Sequence, residues 1–464
     1  MVINFKESFA LYLDKRMIKI LLLGIMSGFP WVLIGSALSL WLKEEGLSRS
    51  TIGFAGLIFG VYAINFLWAP LIDKLKIPFL TDKVGHRKSI IIVMQIIILI
   101  SLVLWSVLDP NENLLVIIAI GLAIALSSAT QDITIDALRI EQIGKDERSS
   151  MAAGAAMAVV GWWTGYKVGG IIALYSAEIL QNNGIENYWQ ITFIILTTVI
   201  ILCNIGLNFI PESNEERFKQ QKEDDNKIAD KIGNNSFSKL AVWFIGTVLN
   251  PLLSFFKKNG VSIGLGILAF IFLFKIGEAF LGRMSIVFYK EMGFSKGNIA
   301  LYSKGIGWIT TICFTLIGGL FAIRAGAIRA LFIAGIIMAA TNLLFTLLYW
   351  TGKSELLFAI AVLFDDVAAA FATVAFVTFI SLLVDRTYTA TQYALLASIG
   401  TMGRTLLASS SGAMVDWLDG NWGLFFIITA LMVIPSLVCL YFIKDKIKFS
   451  NKDISSSSFK ASKS

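Results

Sequence analysis

Residues 69–88 read APLIDKLKIPFLTDKVGHRK and residues 318–329 read GGLFAIRAGAIR, each a small-residue helix end followed by a basic turn. In the first, Ala69-Pro70-Leu71-Ile72-Asp73-Lys74 runs on to Gly85-His86-Arg87-Lys88; in the second, Gly318-Gly319-Leu320 runs on to Arg324-Ala325-Gly326 and Arg329. Both follow the second of six apolar runs. A second pair of marks agrees, because Asp146-Glu147-Arg148 precedes the fifth run of one set and Asp385-Arg386 the fifth run of the other. The repeat predicts an all-α integral membrane protein of twelve transmembrane helices, in two parallel six-helix halves with a site between them.

The wider sequence supports this. Its 464 residues are 56% hydrophobic and 15% charged, with a mean hydropathy of +0.75, values that an ordinary soluble domain does not reach. Runs of roughly 20 apolar residues recur throughout, long enough to cross the hydrocarbon as helices and without the alternation of barrel strands. The predicted spans are 18–42, 52–73, 89–108, 114–137, 150–177 and 189–210, then 262–286, 298–323, 329–350, 356–384, 390–414 and 422–443. They divide the chain into an N-terminal half, 1–211, and a C-terminal half, 259–449, with a cytoplasmic linker at 212–258. The linker begins as a charged, Asn-rich solvated stretch. Its apolar part, Phe237 to Phe256, reads as an interfacial helix, since a thirteenth span would invert the second half. The Ser/Lys-rich tail, 450–464, reads as disordered.

Of the 39 Lys and Arg residues, 29 fall in the tails and alternate loops of one side, five in the loops of the other and five within spans. Both termini are therefore predicted to be cytoplasmic. The net charge of +7 follows from that bias and does not indicate nucleic acid. Cys203, Cys313 and Cys439 each stand alone in an apolar run, which suggests neither a disulfide framework nor a metal site. His86 is the only histidine and lies in a basic loop, so a histidine-based active site is not expected, nor is any cofactor. A membrane enzyme would need a catalytic cluster at a water interface, and a sensor would need a signalling domain after the last helix; the sequence suggests neither. The N-terminal basic residues and first apolar run resemble a signal peptide, but the run is too long for one and reads as a retained helix.

Charges inside the spans mark the candidate site. Each costs about 2.5–3.5 kcal/mol near mid-bilayer and so needs a partner or a wet cavity. They are Asp132 and Asp136 in the fourth span, Lys167 in the fifth, Lys275, Glu278 and Arg283 in the seventh, Lys304 in the eighth, Asp365 and Asp366 in the tenth and Arg404 in the eleventh. Lys275 and Glu278, three apart, share a helical face and can pair, either as structural glue or as a pair that exchanges partners with substrate or proton. Asp132, beside Gln131, is a candidate cavity residue. Asp136 and Arg139 are candidates for a cytoplasmic gate, by pairing with Asp73 and Arg87. Asp365 and Asp366 lie about 100° apart around their helix, so one of them is expected to face the cavity. Lys167, Lys304 and Arg404 lack acidic neighbours on their own helices, which suits an anionic substrate. Trp31, Trp162, Trp163 and Trp308 are candidates for stacking on sugar or for anchoring at the interface. Gly28-Phe29-Pro30 lies mid-span, where a kink would help a gate to move.

These stretches resemble the AmpG-type muropeptide permeases of the major facilitator superfamily. The matching residues are Ser27-Gly28-Phe29-Pro30, Phe66 to Asp73, Ser128 to Ile133 with Asp136-Ala137, Lys275 to Phe280, Lys304, Ala390 to Leu396 and Gly403-Arg404. The resemblance implies a proton-driven importer, monomeric and in the bacterial inner membrane, of anhydromuropeptides, which join an amino sugar to a peptide bearing carboxylates. It implies substrate-binding or coupling roles for Gln131, Asp132, Lys275, Glu278, Lys304 and Arg404. The chain departs from the family in two places. Trp163 stands about where an arginine is usual, with Lys167 one turn later, and the loop motif is split by an insertion from Leu75 to Val84. Acetyl-coenzyme A transporters resemble the same family, and their substrate is also a bulky anion.

Overall fold

A computed structural model describes residues 5–47, 55–144, 146–212, 250–294, 307–408 and 410–449, and these are helical almost throughout. In chain order the spans are α1 (Lys15–Leu42), α2 (Ile58–Leu67), α3 (His86–Trp105), α4 (Pro110–Glu141), α5 (Arg148–Asn182), α6 (Tyr188–Leu207), α7 (Val261–Ser285), α8 (Gly307–Ala325), α9 (Ala327–Thr351), α10 (Glu355–Leu383), α11 (Thr389–Ala408) and α12 (Trp422–Ile443). All except α2 and α11 are long and apolar enough to cross a membrane. α11 has the length, but Thr391, Gln392, Ser398 and Arg404 make it polar. Large apolar side chains such as Leu115, Phe209, Trp350 and Phe442 stand exposed on the outside, where lipid covers them.

The second span departs most from the expected single helix over 52–73. Its described part is a series of short pieces, Gly56–Gly60, Val61–Ile64, Asn65–Leu67 and Ala69–Lys74. Gly56 and Gly60 weaken the helix, and Pro70 sits in the first turn of the last piece, where its missing N–H does no harm. The described part of the expected linker helix runs from Asn250 to Asn259 and ends at Gly260, whose φ of +81° turns the chain into α7. Lys258 donates to the Leu383 carbonyl at 3.2 Å, and Ser254 accepts from Gln392 at 2.8 Å, so this helix docks beneath α10 and α11. The rest of the linker and the tail after Phe449 lie outside the described residues.

Within the first half, α1 and α5 meet backbone to backbone. A Cβ at Gly24 would lie 2.4 Å from the Ala158 carbonyl oxygen, and one at Gly28 would lie 2.0 Å from that of Trp162. The approach is mutual, since Cβ atoms at Gly161 and Gly165 would lie 2.3 Å from the carbonyl oxygens of Leu21 and Ile25. Glycines four apart on each helix form the small-residue seam by which helices associate in lipid, where burial of apolar surface offers no driving force. The second half has a counterpart, with Gly403 of α11 against the Phe272 carbonyl of α7 and Gly277 of α7 against that of Thr429 in α12. At the start of the seam Arg16 pairs with Asp14 at 2.7 Å and with Glu147 at 2.8 Å. Its guanidinium holds both carboxyls below the usual carboxylate range. The halves meet where α5 packs on α8 and α10, and where α11 packs on α4 and on the helix Ala69–Lys74.

Gly28→Ala is therefore expected to cost about 1–3 kcal/mol by overpacking. Gly170, on the same helix as Gly161 but with nothing within 4 Å of its Cβ position, is the control. Thermal unfolding in detergent checks this: Gly28→Ala lowers Tm, whereas Gly170→Ala leaves it unchanged or raises it through better helix propensity.

Candidate transport site

The N-terminal wall of the site grows out of one missing hydrogen bond. Pro30 has no N–H to give to the Met26 carbonyl, and in lipid that oxygen must find another donor. Gln131 of α4 supplies it, its Nε2 donating to Met26 O at 2.7 Å with the side chain fully buried. Next to it, Ser27 donates to Asp132 Oδ1 at 2.7 Å. Beyond Pro30 the helix opens into a π-helical stretch, Val32–Ala37. Gly28 accordingly works as a close-packing residue against α5, while the departure from regular α-helix follows Pro30.

Three of the four singled-out tryptophans come together, and Trp31 is the one beside Asp132. Trp31 lies 4.5 Å from Tyr62, 5.1 Å from Phe59 and 5.6 Å from Trp162, between ring centroids. Trp162 continues the group to Trp163 at 5.1 Å and stacks on Tyr166 at 5.5 Å. Lys167 lies over the Trp163 and Tyr166 rings at 5.8 and 6.0 Å. Trp308, at the start of α8, joins none of these rings among the described residues.

The C-terminal wall carries the charges. Lys275 falls between the helical stretches Val261–Leu273 and Ile276–Glu291, where the regular helix pauses. Its Nζ lies 3.2 Å from Glu278 Oε2 and donates to Thr373 Oγ1 of α10 at 2.8 Å. Asp365 interacts electrostatically with Lys275, Glu278 and Asp366. Asp365 and Asp366 both lie close enough for their charges to act on Tyr289. A cleft of about 300 Å³ opens beside them, lined by Glu278, Ala279, Gly282, Arg283, Arg404 and Ala408. Lys304 lies outside the described residues.

At the face that carries both terminal segments, the halves are tied together. Arg87 is fully buried and pairs with Asp73 at 2.7 Å and with Glu141 at 3.0 Å. Asp73 also accepts from the Thr391 N–H at 2.8 Å, from its hydroxyl at 2.6 Å and from the Ala390 N–H at 3.3 Å. A carboxylate of one half thus caps the first turn of α11 in the other, where the helix dipole favours it. Arg139 pairs with Asp136 at 3.0 Å and reaches Ser381 of α10 at 3.1 Å. The four gate candidates therefore form two separate pairs, each crossing to the C-terminal half by its own route. Arg386 donates to the Ile140 carbonyl, Tyr12 to that of Leu316 at 2.9 Å, and Ser398 to Asn65 at 2.8 Å. Towards the other face, the bonds that Glu44 accepts from Tyr188 and Trp189, and that Glu291 accepts from Trp422, each stay within one half among the described residues.

Several partners in this arrangement were not singled out from sequence: Tyr62, Glu141, Thr373 and Ser381. Ser27 stood there only as part of the stretch that carries the family resemblance, without a role. The i, i+4 glycines of α1 and α5 were readable.

Two helical halves, tied at one face by buried ion pairs and hydrogen bonds and carrying charged and aromatic side chains within their spans, have the organisation of a secondary transporter. The description Major Facilitator Superfamily fits residues 20–408, and the chain belongs to that superfamily and, within it, to the AmpG transporters. It is 33% identical to the putative transporter AmpG 4 of Rickettsia felis, over 94% of this chain and 98% of that one. It is 30% identical to the anhydromuropeptide permease of Escherichia coli K12, over 93% of this chain and 80% of the relative. Among solved structures, the proton:xylose symporter XylE shares the fold, with a TM-score of 0.65 at 15% identity over 95% of this chain and 97% of XylE. The protein is a transporter and not an enzyme.

The role of Gln131 as the substitute donor for Met26 O has a direct test. Gln131→Ala leaves that carbonyl buried and unpaired, a cost of about 1–3 kcal/mol. Pro30→Ala restores an N–H within α1, so the double variant is expected to recover much of the Tm lost by Gln131→Ala alone. A double variant no more stable than the single one would contradict the assignment.

Proposed function

We propose that this chain imports anhydromuropeptides across the bacterial inner membrane, driven by protons, as a monomer with both termini cytoplasmic. The observation that carries the reading is the chemical division between the halves. The N-terminal half presents Trp31, Trp162, Trp163 and Tyr62 with Asp132, while the C-terminal half presents Lys275, Arg283 and Arg404 among carboxylates. An amino sugar joined to an acidic peptide matches both chemistries, and the name of the Escherichia coli relative points to the same substrate.

Orientation supports import. With 29 of the 39 basic residues on the side of the termini, that side is cytoplasmic, and the tied face closes the cavity to the cytoplasm. The cavity then faces the side from which cell-wall fragments arrive. Release inward requires the Asp73 and Arg139 links to part and the opposite ends of the halves to close, the rocking motion of paired repeats. For the proton, the carriers in this reading are Asp132 and the Asp365–Glu278 group, with Lys275 as the cation a bound carboxylate competes for. Arg404 and Arg283 hold the peptide carboxylates, and Lys167 closes the aromatic wall.

Uptake of radiolabelled anhydromuropeptide into cells lacking their own permease tests the proposal, with and without a protonophore. Wild-type uptake is expected to be protonophore-sensitive, and Asp132→Asn to lower it at least tenfold with normal expression. Absence of uptake by well-expressed wild-type protein would overturn the substrate assignment, and uptake indifferent to the protonophore would overturn proton coupling.

A further inference from the structure

We infer that the wall built by α1, α2 and α4 reads the saccharide of the substrate, with Trp31, Tyr62 and Ser128 as specificity-determining residues; this rests on the permease reading above. Its basis is an excess of hydrogen-bonding capacity. Trp31 Nε1, Tyr62 Oη, Ser128 Oγ and Gln131 Oε1 are all buried, and none has a hydrogen-bond partner among the described residues. Trp31 Nε1 approaches Asp132, and Tyr62 Oη approaches Ser128, without either forming a bond of normal geometry. Folded chains leave few buried polar groups unpaired, so four gathered in one wall call for an occupant that supplies the missing partners.

The neighbouring groups are already committed. Asp132 accepts from Ser27, Gln131 Nε2 donates to Met26 O, and Trp68 Nε1 donates to Thr130 Oγ1 at 3.0 Å. What remains is a set of neutral donors and acceptors framed by the Trp31, Tyr62 and Phe59 rings. That pattern fits a pyranose, which lays an apolar C–H face on aromatic rings and directs its hydroxyl and amide groups to the edge. It does not fit a carboxylate, whose charge is matched instead in the C-terminal half, by Arg283 and Arg404 in the cleft beside Glu278. The substrate therefore binds in one direction, sugar to the N-terminal half and peptide to the C-terminal half.

The test uses the full-length chain in lipid nanodiscs and two separate probes, the peptide-free amino-sugar portion of an anhydromuropeptide and its sugar-free peptide, each titrated calorimetrically. Tyr62→Phe and Ser128→Ala each remove one hydroxyl oxygen and little else, while Trp31→Phe removes the indole N–H together with the volume of the pyrrole ring. Each is expected to weaken saccharide binding about fivefold, the loss of one hydrogen bond, and to leave peptide binding within twofold. Retained peptide affinity doubles as the check on folding. Arg404→Gln is expected to weaken the peptide and spare the saccharide. Saccharide affinity unchanged in all three wall variants, as when water alone fills the wall, would overturn the inference, as would loss of peptide binding in their place. Parallel uptake measurements separate the two claims. Wall-dependent saccharide binding by a chain that imports no anhydromuropeptide would refute the permease reading alone; import with wall-independent saccharide binding would refute this inference alone.

Discussion

The contact on which the rest of the structure depends is the glycine seam between α1 and α5. Carbonyl oxygens of one helix lie where side chains of the other would stand, at Gly24, Gly28, Gly161 and Gly165. In lipid no apolar burial draws helices together, so closeness of approach is what fixes them. With α1 and α5 locked at this distance, Ser27 and Trp31 on one and Trp162 and Trp163 on the other have settled positions. α7 and α11 repeat the device at Gly403. Each half is therefore a rigid unit whose interior leaves little room to rearrange. Motion is left to the boundary between halves, where the contacts are side-chain hydrogen bonds and ion pairs that can break one at a time.

The same economy of backbone groups shapes the site. Pro30 and the pause at Lys275 lie at comparable depths in the first helix of each half, and both free the chain from strict α-helical geometry beside the cavity. In the first half the freed carbonyl is met by Gln131, which joins α4 to α1 and holds Asp132 within reach of Ser27. In the second, Lys275 reaches Glu278 and Thr373, joining α7 to α10. Structural need thus falls on the same residues that the proposed function assigns to substrate and proton. A residue such as Gln131 uses its amide group to hold the helices and has its carbonyl left over.

Much of this was legible in the sequence. The span predicted at 356–384 is observed as Glu355–Leu383, because Ser354 caps it and Asp385 begins the turn beyond it. The Lys275–Glu278 pair followed from its spacing of three. What could not be read was anything decided across helices. Asp73 and Arg87 are separated by the Leu75–Val84 insertion, and only the fold brings them together and sets Asp73 against the first turn of α11. Trp31 and Trp162 meet because of the glycine seam, whereas Trp308, identical in type, lies apart from them. The second span defeated a hydropathy reading for a different reason, since its apolar character is intact but Gly56, Gly60 and Pro70 break the helix into short pieces.

In the import function proposed above, the bond network joining Asp73, Arg139 and Arg386 to the opposite half is a closed gate that substrate opens. Lys76 and Arg324 are exposed on that face, one in each half, and can carry spin labels. Pulsed electron paramagnetic resonance between them, in nanodiscs with and without anhydromuropeptide, measures the gate directly. A gate of this kind gives a short distance in the free protein and a second, longer population once substrate is added under an acidic pH. A single unchanged distance, in a labelled protein that still transports, would contradict it.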